Sequence, residues 1–84
     1  MKTYFVEMTD TFAGEANYAW VNRFKVTARS AAGAIRKVSN ETGYRFRKQS
    51  DFGDCLVHDA VGACVRAFTH EWDQYCDEYS VREL

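Results

Sequence analysis

The feature that most constrains this chain is an unbroken alternation of period two from Tyr18 to Arg29. Tyr18, Trp20, Asn22, Phe24, Val26 and Ala28 fall on one side, and Ala19, Val21, Arg23, Lys25, Thr27 and Arg29 on the other. An amphipathic helix repeats its apolar positions every three to four residues, so this segment reads as a strand and the fold must contain a sheet.

A second alternating run precedes it. Tyr4, Val6 and Met8 oppose Thr3, Phe5 and Glu7, which predicts a first strand over Thr3 to Thr9. Asp10 to Asn17, with Gly14 and small or polar residues, reads as the hairpin loop between the two. Ser30 can cap a helix and Gly43 can close one in the left-handed conformation. Between them Ala31, Ala34, Ile35, Val38 and Thr42 form one apolar stripe, while Arg36, Lys37, Asn40 and Glu41 face water. Gly33 costs this helix up to about 1 kcal/mol relative to Ala, which implies close approach to the sheet or a helix held mainly by packing.

Tyr44 to Lys48 resumes period two as a third strand, with Tyr44 and Phe46 inward and Arg45 and Arg47 outward. Residues 55–71 fit two descriptions. Cys55 to His58 and Ala63 to Phe68 form a hairpin turning through Asp59 to Gly62; alternatively, Leu56, Val57, Ala60, Val61, Cys64, Val65, Phe68 and Trp72 form a helical stripe capped by Asp54. The clustered β-branched residues and Gly62 favour the hairpin. Trp72, Tyr75, Cys76 and Tyr79 predict a short acidic helix at the C-terminal end. The expected architecture is α+β: a small antiparallel sheet of ββαββ type with one helix packed on one face.

With 84 residues there is room for one domain, spanning 1–84. A hydrophobic share of 46%, including six Phe, five Tyr and two Trp, is too high for an intrinsically disordered chain. No run reaches the roughly 18 apolar residues of a membrane span, and Glu7 comes too early for a signal peptide, so a cytoplasmic protein is expected. Three cysteines, Cys55, Cys64 and Cys76, are odd in number and lack close pairs, which fits a reducing compartment.

The net charge of −1 conceals strong segregation. Residues 23–48 carry eight cations against Glu41 alone, net +7; residues 49–84 carry eight carboxylates against Arg66 and Arg82, net −6. In the sheet reading, Arg23 and Lys25 on the second strand lie on the same outer face as Arg45 and Arg47 on the third, helped by Arg36 and Lys37 on the helix. Like charges across a ladder are destabilising unless an anion arrives, and a phosphate backbone would serve. Against this stands a solvated face neutralised by the acidic end. Asp73, Asp77 and Glu78 form a second candidate surface, which could be presented to a basic groove.

Catalytic chemistry finds little support. His58 with Asp59 and Cys55, or His70 with Glu71, lacks a nucleophile, base and electrophilic stabiliser acting together. Cys55, His58, Cys64, His70 and Cys76 lack the paired spacing of structural zinc sites, so neither metal nor cofactor is expected. Asp51-Phe52-Gly53-Asp54 reads as a turn.

Met1-Lys2-Thr3-Tyr4-Phe5-Val6 opening a strand, Phe24 to Ala31 running from strand into helix, and Ala34-Ile35-Arg36-Lys37-Val38 on the helix together give the first half of the chain a resemblance to small phage and plasmid proteins. Some anti-CRISPR proteins are similar. The resemblance implies a non-enzymatic inhibitor that binds a CRISPR surveillance complex or its nuclease in the host cytoplasm and blocks access to target DNA. The alternative is a small DNA- or RNA-binding protein using the basic sheet face. Exposed sheet edges would also suit a homodimer.

Overall fold

A computed structural model describes all residues, Met1 to Leu84. The chain runs β1 (Lys2–Phe12), β2 (Glu15–Ala28), α1 (Ala31–Thr42), β3 (Phe46–Asp51), β4 (Leu56–Ala60), β5 (Val65–Glu71), a 3-10 helix (Gln74–Glu78) and β6 (Arg82–Glu83). The six strands form one sheet in the order β3-β4-β5-β1-β2-β6. Every pair is antiparallel except β2 with β6. The molecule is therefore α+β.

Four antiparallel steps separate β2 from β3, so these two strands run in the same direction and need a crossover between them. Helix α1 supplies it. Ser30 Oγ accepts the Gly33 amide at its start, and Gly43, at φ 84°, closes it by donating its own amide to the Ser39 carbonyl. Its buried residues Ala34, Ile35 and Val38 pack on Tyr4, Val6 and Met8 of β1, Phe24, Val26 and Ala28 of β2, and Val65 and Ala67 of β5. Tyr44 and Phe46 join this core at its margin.

The strand order departs from the ββαββ expectation. β1 buries Tyr4, Phe5 and Val6 consecutively, and so is apolar on both faces, as a central strand must be. β5 returns to pair with it from Tyr4↔Glu71 to Asp10↔Val65, which places β1 and β5 in the middle and pushes polar β3 to the edge. Residues 55–71 form the favoured hairpin, with β4 and β5 lying about two residues later than the period alone suggested.

The predicted C-terminal helix is a five-residue 3-10 helix followed by an extended segment. Its cause lies in Phe5. The rings of His70, Trp72 and Tyr79 lie 5.2, 5.8 and 5.3 Å from the Phe5 ring. A continuous α-helix would set Trp72 and Tyr79 about 10 Å apart along its axis, too far for both to reach one ring. The tight turn brings them together over the sheet face opposite α1, where Phe5 and Cys76 are buried. Beyond it the chain re-enters the sheet, as Leu84 donates its amide to the Lys25 carbonyl and Thr27 donates to that of Leu84.

Candidate functional site

The supposed basic face is not assembled as one surface. β2 and β3 stand four strand spacings apart, about 19 Å, well beyond the screening length at physiological salt. Repulsion between Arg23 and Lys25 on one strand and Arg45 and Arg47 near the other is therefore absent, and with it the argument for a bound anion. Arg23 donates Nε to Glu7 Oε2 at 2.9 Å and lies 4.4 Å above the Tyr79 ring. Lys25 Nζ sits 4.7 Å from the Trp72 ring. Both cations thus help hold the C-terminal segment on the sheet. Lys37 Nζ donates to the Thr27 carbonyl, and Arg36 is exposed on α1. Arg45 precedes β3; Arg47, opposite Asp59, is exposed, while Asp59 itself binds Arg66 at 2.6 Å.

The acidic candidates are likewise spread among local roles. Asp73 caps the 3-10 helix by accepting the amides of Tyr75 and Cys76, and Asp77 accepts the Trp72 indole N–H at 3.0 Å. Glu78 is exposed. Asp51 accepts the Gly53 amide at 2.9 Å, so Asp51 to Asp54 is the expected turn, with Gly53 at φ 86°.

A different region is built for presentation. β1 and β2 extend into the segment Asp10 to Asn17 expected as a loop and turn through Ala13 and Gly14 alone, both at positive φ (53° and 81°), the geometry of a two-residue hairpin turn. Within this hairpin the register jumps from Thr9↔Val21 to Thr11↔Ala16, so that Asn17, Tyr18, Ala19 and Trp20 face the single residue Asp10. A large bulge of this kind bends the strand and re-aims its side chains.

Two side chains of β1 hold the bulge. Thr9 Oγ1 donates to the Trp20 carbonyl at 2.8 Å and accepts the Tyr18 amide at 3.1 Å. Asp10 accepts the Asn17 side-chain amide at 2.9 Å and the Ala19 amide at 2.8 Å. The Asn17 bond first, joined against the opposing effect of burial by the Ala19 and Trp20 amides, holds the Asp10 carboxyl below its usual value of 3.8. Tyr18 adopts φ 55°, a left-handed conformation costly for a residue with a bulky side chain. Its hydroxyl donates to Glu7 Oε1 at 3.1 Å, joining it to the Glu7–Arg23–Tyr79 chain of contacts on the face away from α1.

The result is an aromatic display. Phe12, Tyr18 and Trp20 are 74%, 52% and 37% exposed. On the α1 side Trp20 walls a groove of about 650 Å³ with Asn22, Thr42, Tyr44 and Val81, closed at its rim by the 2.7 Å Arg82–Glu41 ion pair. The outer edge of β2 from Glu15 to Arg23 has no strand beside it, because β6 pairs only with Phe24 and Lys25.

The chain matches no family model, no curated protein and no solved structure. Sequence patterning did not find this site. Tyr18 and Trp20 sit in register with the alternation that follows them, and nothing in their identity signals a bulge. The one available cue was the pair Thr9 and Asp10, both frequent partners of nearby backbone amides.

Proposed function

We propose that this protein acts by binding another protein, with the bulged hairpin as its docking element. The single observation that carries the reading is the exposure of Phe12, Tyr18 and Trp20 on a hairpin whose bulge is held by Thr9 and Asp10. Exposed aromatics fixed on a rigid scaffold are the residues that dominate protein interfaces, since they bury much area and lose little side-chain freedom on binding. A partner that clasps the hairpin from both faces, Tyr18 on the side away from α1 and Trp20 on the α1 side, and covers the exposed parts of the three rings removes roughly 300 Å² from water, about 7 kcal/mol before costs. That is comparable to the freedom lost on association, so the aromatics supply the centre of an interface and the adjoining groove must supply its surround. The bulge interrupts the free edge of β2, which disfavours simple strand addition and leaves side chains as the recognition elements.

The partner in this reading is a nucleic-acid-handling complex, a CRISPR surveillance complex or its nuclease, as the resemblance to anti-CRISPR proteins implies. The chain blocks target DNA access sterically. Separation of the basic residues weakens the alternative of direct nucleic-acid binding through one face. The test is an interference assay in bacteria that carry a CRISPR system and a matching phage. Expression of the protein should restore plaque formation by at least about tenfold, and the double variant Phe12→Ser, Trp20→Ser should not. Full interference against every CRISPR type tried would remove the CRISPR complex as the partner.

A further inference from the structure

On the sheet face away from α1, one donor atom from each of His70, Asp73 and Cys76 lies within 4.8 Å of the others. We propose that these three residues form a binding site for a divalent transition metal of zinc type. The site is independent of the hairpin.

The three ligands are spaced evenly, His-x-x-Asp-x-x-Cys, at the junction where β5 passes into the 3-10 helix. Turn geometry gathers them: Asp73 caps the helix, and Cys76 stands one turn later. His70 is set for the role by its other nitrogen. Nδ1 lies 2.8 Å from the Glu71 carbonyl oxygen, which can only accept, so Nδ1 carries the proton and Nε2 keeps a free lone pair. A metal-ligating imidazole is commonly oriented by this kind of outer contact. Asp73 Oδ1 accepts the Tyr75 and Cys76 amides and the Cys76 thiol at 3.4 Å, whereas Oδ2 remains available. The Cys76 sulfur is buried, beside a pocket of about 280 Å³ lined also by Phe5, Phe68, Tyr75 and Tyr79.

The donor set selects the metal. A thiolate and an imidazole are poor ligands for Mg²⁺ or Ca²⁺ and good ones for Zn²⁺, and the ionised Asp73 and Cys76 would balance a 2+ charge. Binding displaces the thiol proton to solvent. Tetrahedral Zn²⁺ places its donors about 3.3–3.8 Å apart, so the trio closes by about an ångström on binding. Three protein ligands leave a fourth position to water or to an atom from a partner.

Cobalt(II) reports the site directly, because a cobalt–thiolate bond absorbs strongly in the near ultraviolet. In the variant Cys55→Ser, Cys64→Ser, only Cys76 retains a thiol, so any such band belongs to it. The expected result is a 1:1 titration that Zn²⁺ reverses. His70→Gln and Asp73→Asn, the latter keeping a good helix cap, should each weaken cobalt binding by at least about tenfold. No thiolate band in the double-serine variant would overturn the proposal, and so would a band that His70→Gln leaves unchanged.

Discussion

Tyr18 is the residue at which conformation and exposure conflict most openly. A tyrosine at φ 55° costs on the order of 1–2 kcal/mol in backbone energy, and its ring is half exposed, so burial does not offset that cost. The bond from its own amide to Thr9 Oγ1, and that from the Ala19 amide to Asp10, keep it there. Replacing Tyr18 with Gly removes the strain together with one exposed hydrogen bond, so urea denaturation should show stability held within about 1 kcal/mol of the parent. Partner binding should nevertheless fall, and a loss of stability of several kcal/mol would mean that Tyr18 is structural. His58 carries a second residue-scale prediction. It is buried on the α1 face of β4, with Nδ1 unpartnered. Burial first, and then the charge of Lys48 across the ladder, push its pKa below the ordinary 6.5 against a smaller opposing pull from Asp59. The unfolded chain therefore takes up a proton that the folded one refuses, and this contribution to stability is complete above pH 6.5 and declines below it. His58→Leu should flatten that decline between pH 7 and 5.5 in urea denaturation.

At the scale of elements, α1 was legible to the residue because its determinants are local: a serine cap, an apolar stripe and a glycine that accepts positive φ. Of the two reasons considered for Gly33, the structure favours packing. A Cβ added there would lie 3.5 Å from Ala28 Cβ and from Ser30 Oγ, an ordinary contact, so no close approach requires glycine. Gly33→Ala should therefore stabilise the domain by about 0.5–1 kcal/mol in thermal or urea denaturation. Strand order was harder to see, because pairing is decided by which strands can be buried on both faces. The clue lay in composition: Tyr4-Phe5-Val6 suits a centre, whereas Arg47-Lys48-Gln49 suits an edge. The hairpin bulge left still less trace. Tyr18 and Trp20 continue the alternation of the strand backwards without a break, and it is side chains of the neighbouring strand that interrupt the pairing. In the C-terminal segment, the helical spacing of Trp72, Tyr75, Cys76 and Tyr79 was genuine but yielded to the shared attraction of Phe5.

For the whole molecule, the segregated charge of the sequence is paired only in part: Lys48 of the basic block lies 4.0 Å from Asp51 of the acidic one, whereas Arg82–Glu41 joins a cation of the acidic block to the one anion of the basic block. Two further cations of the middle block, Arg23 and Lys25, lie against rings of the acidic end. One face of the sheet is closed by α1 and the other by the C-terminal aromatics around Phe5, which leaves the bulged hairpin projecting with its aromatics uncovered. No helix is long and apolar enough to cross a membrane. The central claim is that this hairpin, rather than the basic residues, makes the functional contact. It is tested most directly by the affinity of the purified protein for the CRISPR complex proposed as its partner, compared between two variants of unchanged thermal stability. The account predicts that Phe12→Ser with Trp20→Ser weakens binding by at least about a hundredfold, while Arg45→Glu with Arg47→Glu changes it by less than about threefold. The reverse ranking would contradict it and return the basic residues to the centre of the function.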